Sequence, residues 1–281
     1  MSTSRLTSII IPCHGQLAYT ELCVESLFGG TPEAFELILV DNGSPDDTRV
    51  WAEQQARNDP RVHVLPLGEN LGFARGVNAG LAAARGSEVL VLNNDAVVTQ
   101  GWLSRLRAAL DASPRTGIVG PMCNYLDGPQ LIPEVPYDDD LDDMVLFAER
   151  WAEEHAGQRE SAHRIVGFCM LVRSELVNEI GGFDPRFGNG NFEDDDFCLR
   201  ALLAGWDLVI ARDCFVHHFG SRTFLSLGSR AGYRQAMLAG FERFRHKWQL
   251  PMPAEGQPWY RPQDVIARGP VASAVERIAL G

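Results

Sequence analysis

The feature that most constrains this chain is a run of four apolar residues, Val89 to Leu92, that passes directly into Asn93, Asn94 and Asp95. Successive apolar residues mark a strand buried on both faces, as in sheets covered by helices on either side. In an open parallel sheet the carboxyl ends of the strands form the ligand edge. A carboxylate preceded by two amides at that edge suits Mg²⁺ or Mn²⁺, which take oxygen ligands and keep waters or substrate phosphates in their shells. The same residues would also make an ordinary polar turn after a core strand, and taken alone they leave both open.

Residues 6–11, 35–40 and 62–67 repeat the pattern as further apolar, β-branched runs. Helical spacing follows the first two, through Leu17, Leu22, Val24 and Leu27 and then Val50, Trp51 and Ala56, and Gly29-Gly30 stops the first helix. Ser44 or Asp46 is placed to cap the second. Strands alternating with helices predict a parallel sheet with right-handed crossovers. A further helix is expected over 101–110 and a strand over 117–121.

The character changes after residue 124. Residues 125–163 are rich in Pro, Asp and Glu, with a helix expected around 144–155, and read as an acidic surface insertion. Strand and helix signals return over 165–180, a helix starts near Asn191 or Glu193, and a strand and a last helix follow at 208–211 and 233–248. Residues 251–281 carry five prolines and read as a looser tail. The divisions are therefore 1–124, 125–163, 164–250 and 251–281.

A chain of 281 residues that is 45% hydrophobic can bury its own core. Its 37 acidic against 25 basic side chains, a formal charge of −12, disfavour nucleic-acid binding, which needs cations to replace phosphate counterions. Six cysteines without a CxxC pair suggest neither zinc nor a disulfide framework. No segment approaches the roughly 18 to 20 apolar residues of a membrane span, so a cytoplasmic protein is expected, with peripheral membrane contact left open.

Three strand ends present polar groups: Asp41, the loop at 68–80 and Asp95. Asp41 could accept from a nucleotide base or ribose, or simply form the turn with Asn42-Gly43. The loop at 68–80 lets backbone approach a ligand at Gly72 and Gly76, with Arg75 and Asn78 as donors, yet it is neither a dinucleotide fingerprint nor a phosphate loop. Glu193 to Asp196 places four carboxylates at one helix start, more than a cap needs, and crowding raises their pKa values towards those of general bases. Of His217 and His218 only one can point inward from a strand, as a structural residue or as a ligand.

The series Ile9-Ile-Ile-Pro12, Val40-Asp-Asn-Gly-Ser44, Asn70-Leu-Gly-Phe-Ala74 with Asn78, Leu92-Asn-Asn-Asp95, Gly181-Gly-Phe-Asp184, Glu193-Asp-Asp-Asp-Phe-Cys-Leu-Arg200 and His217-His218 resembles the family 2 glycosyltransferases of GT-A fold, over about residues 6 to 250. Within the family the resemblance is to the rhamnosyltransferase-like, bacterial surface-glycan or protein glycosyltransferase branch. The resemblance implies an α/β fold with a single Rossmann-like, mostly parallel sheet flanked by helices, a donor-binding amino-terminal half and an acceptor-binding carboxyl-terminal half. Pro12, His14 and Asp41 would border the base of a nucleotide-sugar, and Asn70, Gly72, Arg75 and Asn78 its ribose and phosphates. Asn94 and Asp95 would replace the family's Asp-x-Asp region, with Asn93 and Asn94 supporting the donor. Asp95 and His218 would hold Mg²⁺ or Mn²⁺, and Asp194, beside Glu193, would be the base, with Arg222 or the 220–232 loop closing over the phosphates.

The activity this implies is inverting, metal-dependent transfer from a UDP- or dTDP-sugar to a hydroxyl of a glycan, lipid-linked, protein or small-molecule acceptor. Two rivals use the same features. A metal-dependent nucleotidyltransferase would also set carboxylates on a parallel sheet, but the chain lacks an activated-phosphate loop. A non-catalytic sugar- or nucleotide-binding protein would have no use for Glu193-Asp194.

Overall fold

The computed structural model describes residues 5–138, 141–188, 190–220 and 230–280; Arg222 and the rest of 221–229 lie outside the described residues. The amino-terminal half alternates β1 (Thr7–Cys13), α1 (Leu17–Gly30), β2 (Phe35–Asp41), α2 (Thr48–Asn58), β3 (Val62–Pro66), α3 (Phe73–Ala83) and β4 (Glu88–Leu92). Its strands pair in parallel in the order β3-β2-β1-β4. After β4 come β5 (Ala96–Val98), α4 (Trp102–Asp111), β6 (Thr116–Met122), α5 (Met144–Glu154), β7 (Arg159–Ala162), β8 (Cys169–Arg173) and α6 (Ser174–Ile180). Then follow α7 (Glu193–Leu203), β9 (Asp207–His218), α8 (Arg230–Trp248) and α9 (Pro262–Arg268).

Beyond β4 the sheet becomes mixed. β8 runs antiparallel to both β4 and β6, while β6 and β9 pair in parallel. Helical crossovers return β1 to β4 in one sense. The chain reverses between β6 and β7, across the segment that carries α5, and β7 and β8 both run antiparallel to the β6–β9 pair. The predicted parallel character thus belongs to the half that alternates strand with helix.

Side-chain alternation dresses both faces. Ile9, Ile11, Leu37, Leu39, Leu90 and Leu92 share one core cluster with α1 and α4, whereas Ile10, Ile38, Val40, Val89 and Val91 share the other with α3, α6 and α7. These strand residues are at most 4% exposed, which accounts for the unbroken apolar runs. All six cysteines are free and buried. Among the described residues no helix is long and apolar enough to cross a membrane.

The acidic insertion is tied into the sheet. β7 pairs antiparallel with β9, Trp151 donates through Nε1 to the Arg212 carbonyl at 2.7 Å, and Met144, Ala148 and Ala152 are buried. The proline-rich tail is likewise docked rather than loose. Trp259 and Tyr260 pack on Phe192, Phe241 and Phe244, Val265 and Ala274 are buried, and Ile278 bridges to Gly181. Proline breaks backbone pairing without preventing aromatic burial, so composition understated the order of this segment.

Candidate active site

Strand register brings Asp95 to His218. β5 leaves the edge and pairs antiparallel with the end of β9, setting Ala96 opposite His218, and the Phe219 N–H donates to the Asp95 carbonyl at 3.0 Å. Asp95 Oδ1 then lies 3.2 Å from His218 Nε2. His218 Nδ1 donates to the Tyr125 carbonyl at 3.0 Å, Asn124 exchanges two hydrogen bonds with the His218 backbone, and Phe168 stacks on the imidazole. With its proton committed at Nδ1, a neutral ring turns the Nε2 lone pair towards a carboxylate oxygen, an arrangement that needs a proton or a cation between them. Burial disfavours the imidazolium, but the charge and hydrogen bond of Asp95 outweigh it and raise the His218 pKa. Among the described residues no group of three or more His, Cys, Asp or Glu could hold a metal ion. Asp95 and His218 therefore fit half of a divalent site, of the kind completed by substrate phosphates and water.

The acidic cluster opens α7 after Asn191 and Phe192, both with left-handed backbone (φ 74 and 72) unusual outside glycine. Each of its carboxylates has a different environment. Asp194 Oδ2 accepts from the Gly167 N–H at 3.0 Å and Oδ1 from the Asp195 N–H at 2.9 Å. Asp195 accepts from the Tyr260 hydroxyl and pairs with Arg164 Nε at 3.0 Å. Asp196 is structural, since Arg200, Lys247 and Trp248 all converge on it. Glu193 is 8% exposed, and its Oε2 has no hydrogen-bond partner among the described residues. Burial and the neighbouring Asp194 push the Glu193 carboxyl well above its usual range.

The two groups meet through one segment. Phe168, on His218, follows Gly167, whose N–H holds Asp194, and the Phe168 carbonyl accepts from the Asn93 N–H at 2.7 Å.

At the other strand ends, Cys13 and Asp41 are register partners, which sets His14 beside the turn after β2. His14 donates through Nδ1 to the Asn42 carbonyl at 3.0 Å, and Pro12, two residues before it, is half-buried. Asp41, 3% exposed, accepts from the Ser44 N–H at 3.0 Å. Asn42 organises the glycine loop: it donates to the Gly72 carbonyl and to Asn70 Oδ1 and accepts from the Leu71 N–H. Gly43, at φ 70, leaves no room there, because a Cβ would stand 2.5 Å from the Glu69 carbonyl carbon. Arg75 and Asn70 are exposed. Asn94 ties this edge to the start of α1 by donating to the Gly15 carbonyl and Thr20 Oγ1, while Asn93 Nδ2 lies 3.5 Å from His218 Nε2. Asn78 is placed differently. At 3% exposed, it donates to the carbonyl and accepts from the N–H of Phe183, both at 2.8 Å, and so braces α3 against the turn before α7.

Residues 8–181 match the signature of Glycosyl transferase family 2. The chain belongs to this family. A relative from Sinorhizobium fredii, the uncharacterized protein y4gI, is 32% identical over 74% of the chain, which spans only 24% of that relative. The N-acetylglucosaminyl-diphospho-decaprenol L-rhamnosyltransferase of Mycobacterium tuberculosis is 29% identical over 83% of each sequence. In fold, this family 2 chain is similar to the mannosyltransferase PcManGT of Pyrobaculum calidifontis, solved with GDP-Man and Mn²⁺, at TM-score 0.62 and 19% identity over 94% of this chain and 69% of that one. It is also similar to GalNAc-T7, solved with UDP, GalNAc and Mn²⁺, at TM-score 0.60 and 16% identity over 78% of this chain and 44% of that one. These likenesses give the family 2 chain a GT-A fold.

The family match ends before Asp194 and His218. Sequence reasoning about family 2 motifs missed Asn42, Arg164, Gly167, Phe168 and Tyr260. Asn42 stood in a turn dipeptide already quoted, so its amide was a readable signal. Arg164 and Tyr260 carry no local pattern.

Proposed function

We propose that this family 2 glycosyltransferase moves a sugar, with inversion, from a UDP- or dTDP-sugar to an acceptor hydroxyl of a glycan or glycoconjugate, and depends on a divalent metal. The observation that carries this is the link through Gly167 and Phe168 between the Asp95–His218 pair and Asp194. Asp194 takes the proton of the acceptor hydroxyl as that oxygen bonds to the anomeric carbon. The bond from that carbon to the diphosphate oxygen breaks, its electron pair leaves with the nucleoside diphosphate, and one displacement inverts the centre. Asp95 and His218 are the residues that would hold Mg²⁺ or Mn²⁺, which when bound offsets the charge gathering on the diphosphate. His14, Asp41, Asn70, Gly72, Arg75 and Asn94, with Pro12 and Asn93, border the donor, and the half after residue 163 shapes the acceptor side. Neighbours solved with GDP-Man or UDP together with Mn²⁺ support this class of donor and metal. The relative named for a decaprenol-linked acceptor supports a glycoconjugate as the receiving molecule.

The test is a panel of nucleotide-sugars with Mn²⁺ or Mg²⁺, read by mass for free nucleoside diphosphate and by NMR for the anomeric configuration of the product. Release of diphosphate with inversion is expected. Absence of both turnover and calorimetric binding across the panel would sink the reading.

A further inference from the structure

The acid next to the proposed base is held from two other parts of the chain. Asp195 is 3% exposed, receives the Tyr260 hydroxyl from the chain ahead of α9, and faces Arg164 from the segment before β8. Tyr260 is itself fixed, its ring centroid 4.6 Å from that of Phe244 on α8. The ionisable groups around Asp195 are Glu193, Asp194 and Cys198 on α7, together with Arg164 and Tyr260. Asp196 is engaged elsewhere, by Arg200 and Lys247. Three buried carboxyl groups, Glu193, Asp194 and Asp195, thus share one guanidinium.

Burial and Asp194 hold Glu193 towards its neutral form. Burial also pushes the Asp195 carboxyl up, to about 7, against the pull of the Arg164 charge and the Tyr260 hydroxyl. Asp195 in turn pushes the guanidinium pKa up. Asp194 is held by the backbone N–H groups of Gly167 and Asp195, with no cation within 4 Å among the described residues.

We infer that Arg164 and Tyr260 are positioning residues for the transfer, engaging Asp195 so that Asp194 is the carboxylate of this cluster left to take the acceptor's proton. This rests on the reading of Asp194 as base. It also makes the carboxyl-terminal segment a working part of the acceptor half, although no sequence motif marks it.

The experiment compares wild type with Tyr260→Phe, Arg164→Gln and the double variant Arg164→Gln/Asp195→Asn. Carboxyl ¹³C NMR titration of the substrate-free protein is read beside the pH dependence of kcat. Tyr260→Phe keeps the ring and loses the donor. Its kcat is expected to fall about tenfold with the donor KM within about twofold, and the acid limb to move up by about one pH unit, because the freed carboxylates now share a proton. Arg164→Gln is expected to take up that proton at higher pH still. The double variant, which removes both charges, should regain activity over Arg164→Gln alone. Wild-type titration in Tyr260→Phe and Arg164→Gln, or no regain in the double variant, overturns the inference. The titration uses no substrate, so it decides the clamp independently; failure of the wild type to transfer sugar counts against the parent reading alone.

Discussion

Phe168 lies stacked on His218, ring centroids 4.9 Å apart and planes 26° from parallel. The residue before it donates its peptide N–H to Asp194 at 3.0 Å. Two consecutive residues therefore set both the imidazole and the proposed base, and any shift of this segment moves the two together. Coupling of this kind makes the roles separable only by substitutions that act on one end.

Asp194→Asn acts at the base end. It keeps an oxygen for the Gly167 N–H and removes the proton acceptor, so kcat is expected to fall by about 10²–10⁴-fold. Calorimetry should find donor affinity within twofold of wild type, roughly the scatter of such a difference measurement. A comparable loss of donor affinity would place Asp194 on the donor side instead.

Asp95→Ala and His218→Ala act at the other end. Each should reduce the strengthening of donor binding by Mn²⁺ by about tenfold or more. Binding measured with EDTA in place of Mn²⁺ should differ little from wild type. Equal losses with and without the ion would argue for a structural pair.

Gly167→Ala probes the shared segment. An added Cβ would stand 3.3 Å from Asp194 Cβ, a contact that requires the base to give by tenths of an ångström. Because catalytic geometry tolerates little misplacement, kcat should drop by about 10²-fold while thermal unfolding shifts by only a few degrees. An unchanged kcat would show that Asp194 does not depend on this position.

Lys247→Met tests what anchors the helix carrying the acids. Lys247 Nζ lies 2.8 Å from Asp184 and 2.6 Å from Asp196, and all three are buried. Losing the cation removes one of the two positive partners of each carboxylate, leaving Arg200 on Asp196 and Arg186 on Asp184, at a cost of about 1.5–3 kcal/mol in denaturant unfolding. Burial would raise the Asp184 carboxyl, but hydrogen bonds from Lys247 and the Arg186 N–H, with both charges, hold it below its ordinary value. Its stabilisation is therefore complete above about pH 4, the unfolded value, and is lost as the pH falls through the lower folded one. The gap between wild type and variant should narrow across that acid window.

Strand positions were legible because double-sided burial writes itself as unbroken apolar runs such as Val89 to Leu92. The mixed half was not, since β8 and β9 look like any other strand and their direction is set by pairing with strands distant in the sequence. The candidate site divides the same way. Asp95 and His218 could be named from the family resemblance, but their contact follows from the register of a three-residue strand against the end of a twelve-residue one. Asn78 reads as a donor group in a glycine loop, and only the fold shows it engaged with Phe183. Asp196 and Asp194 belong to one acidic string, yet side-chain direction around the helix sends one to Lys247 and the other to Gly167.

The docking of the tail sets a schedule for making the molecule. Tyr260 meets Asp195, and Ile278 bridges to Gly181 just ahead of the acidic helix. A chain growing from its amino terminus can pair β1 to β4 with one another early, although β4 still waits for β8 on its other side. The acids of α7 wait for Lys247 and Tyr260, which follow them in the chain, and a chain that has not yet reached those residues holds them without either partner.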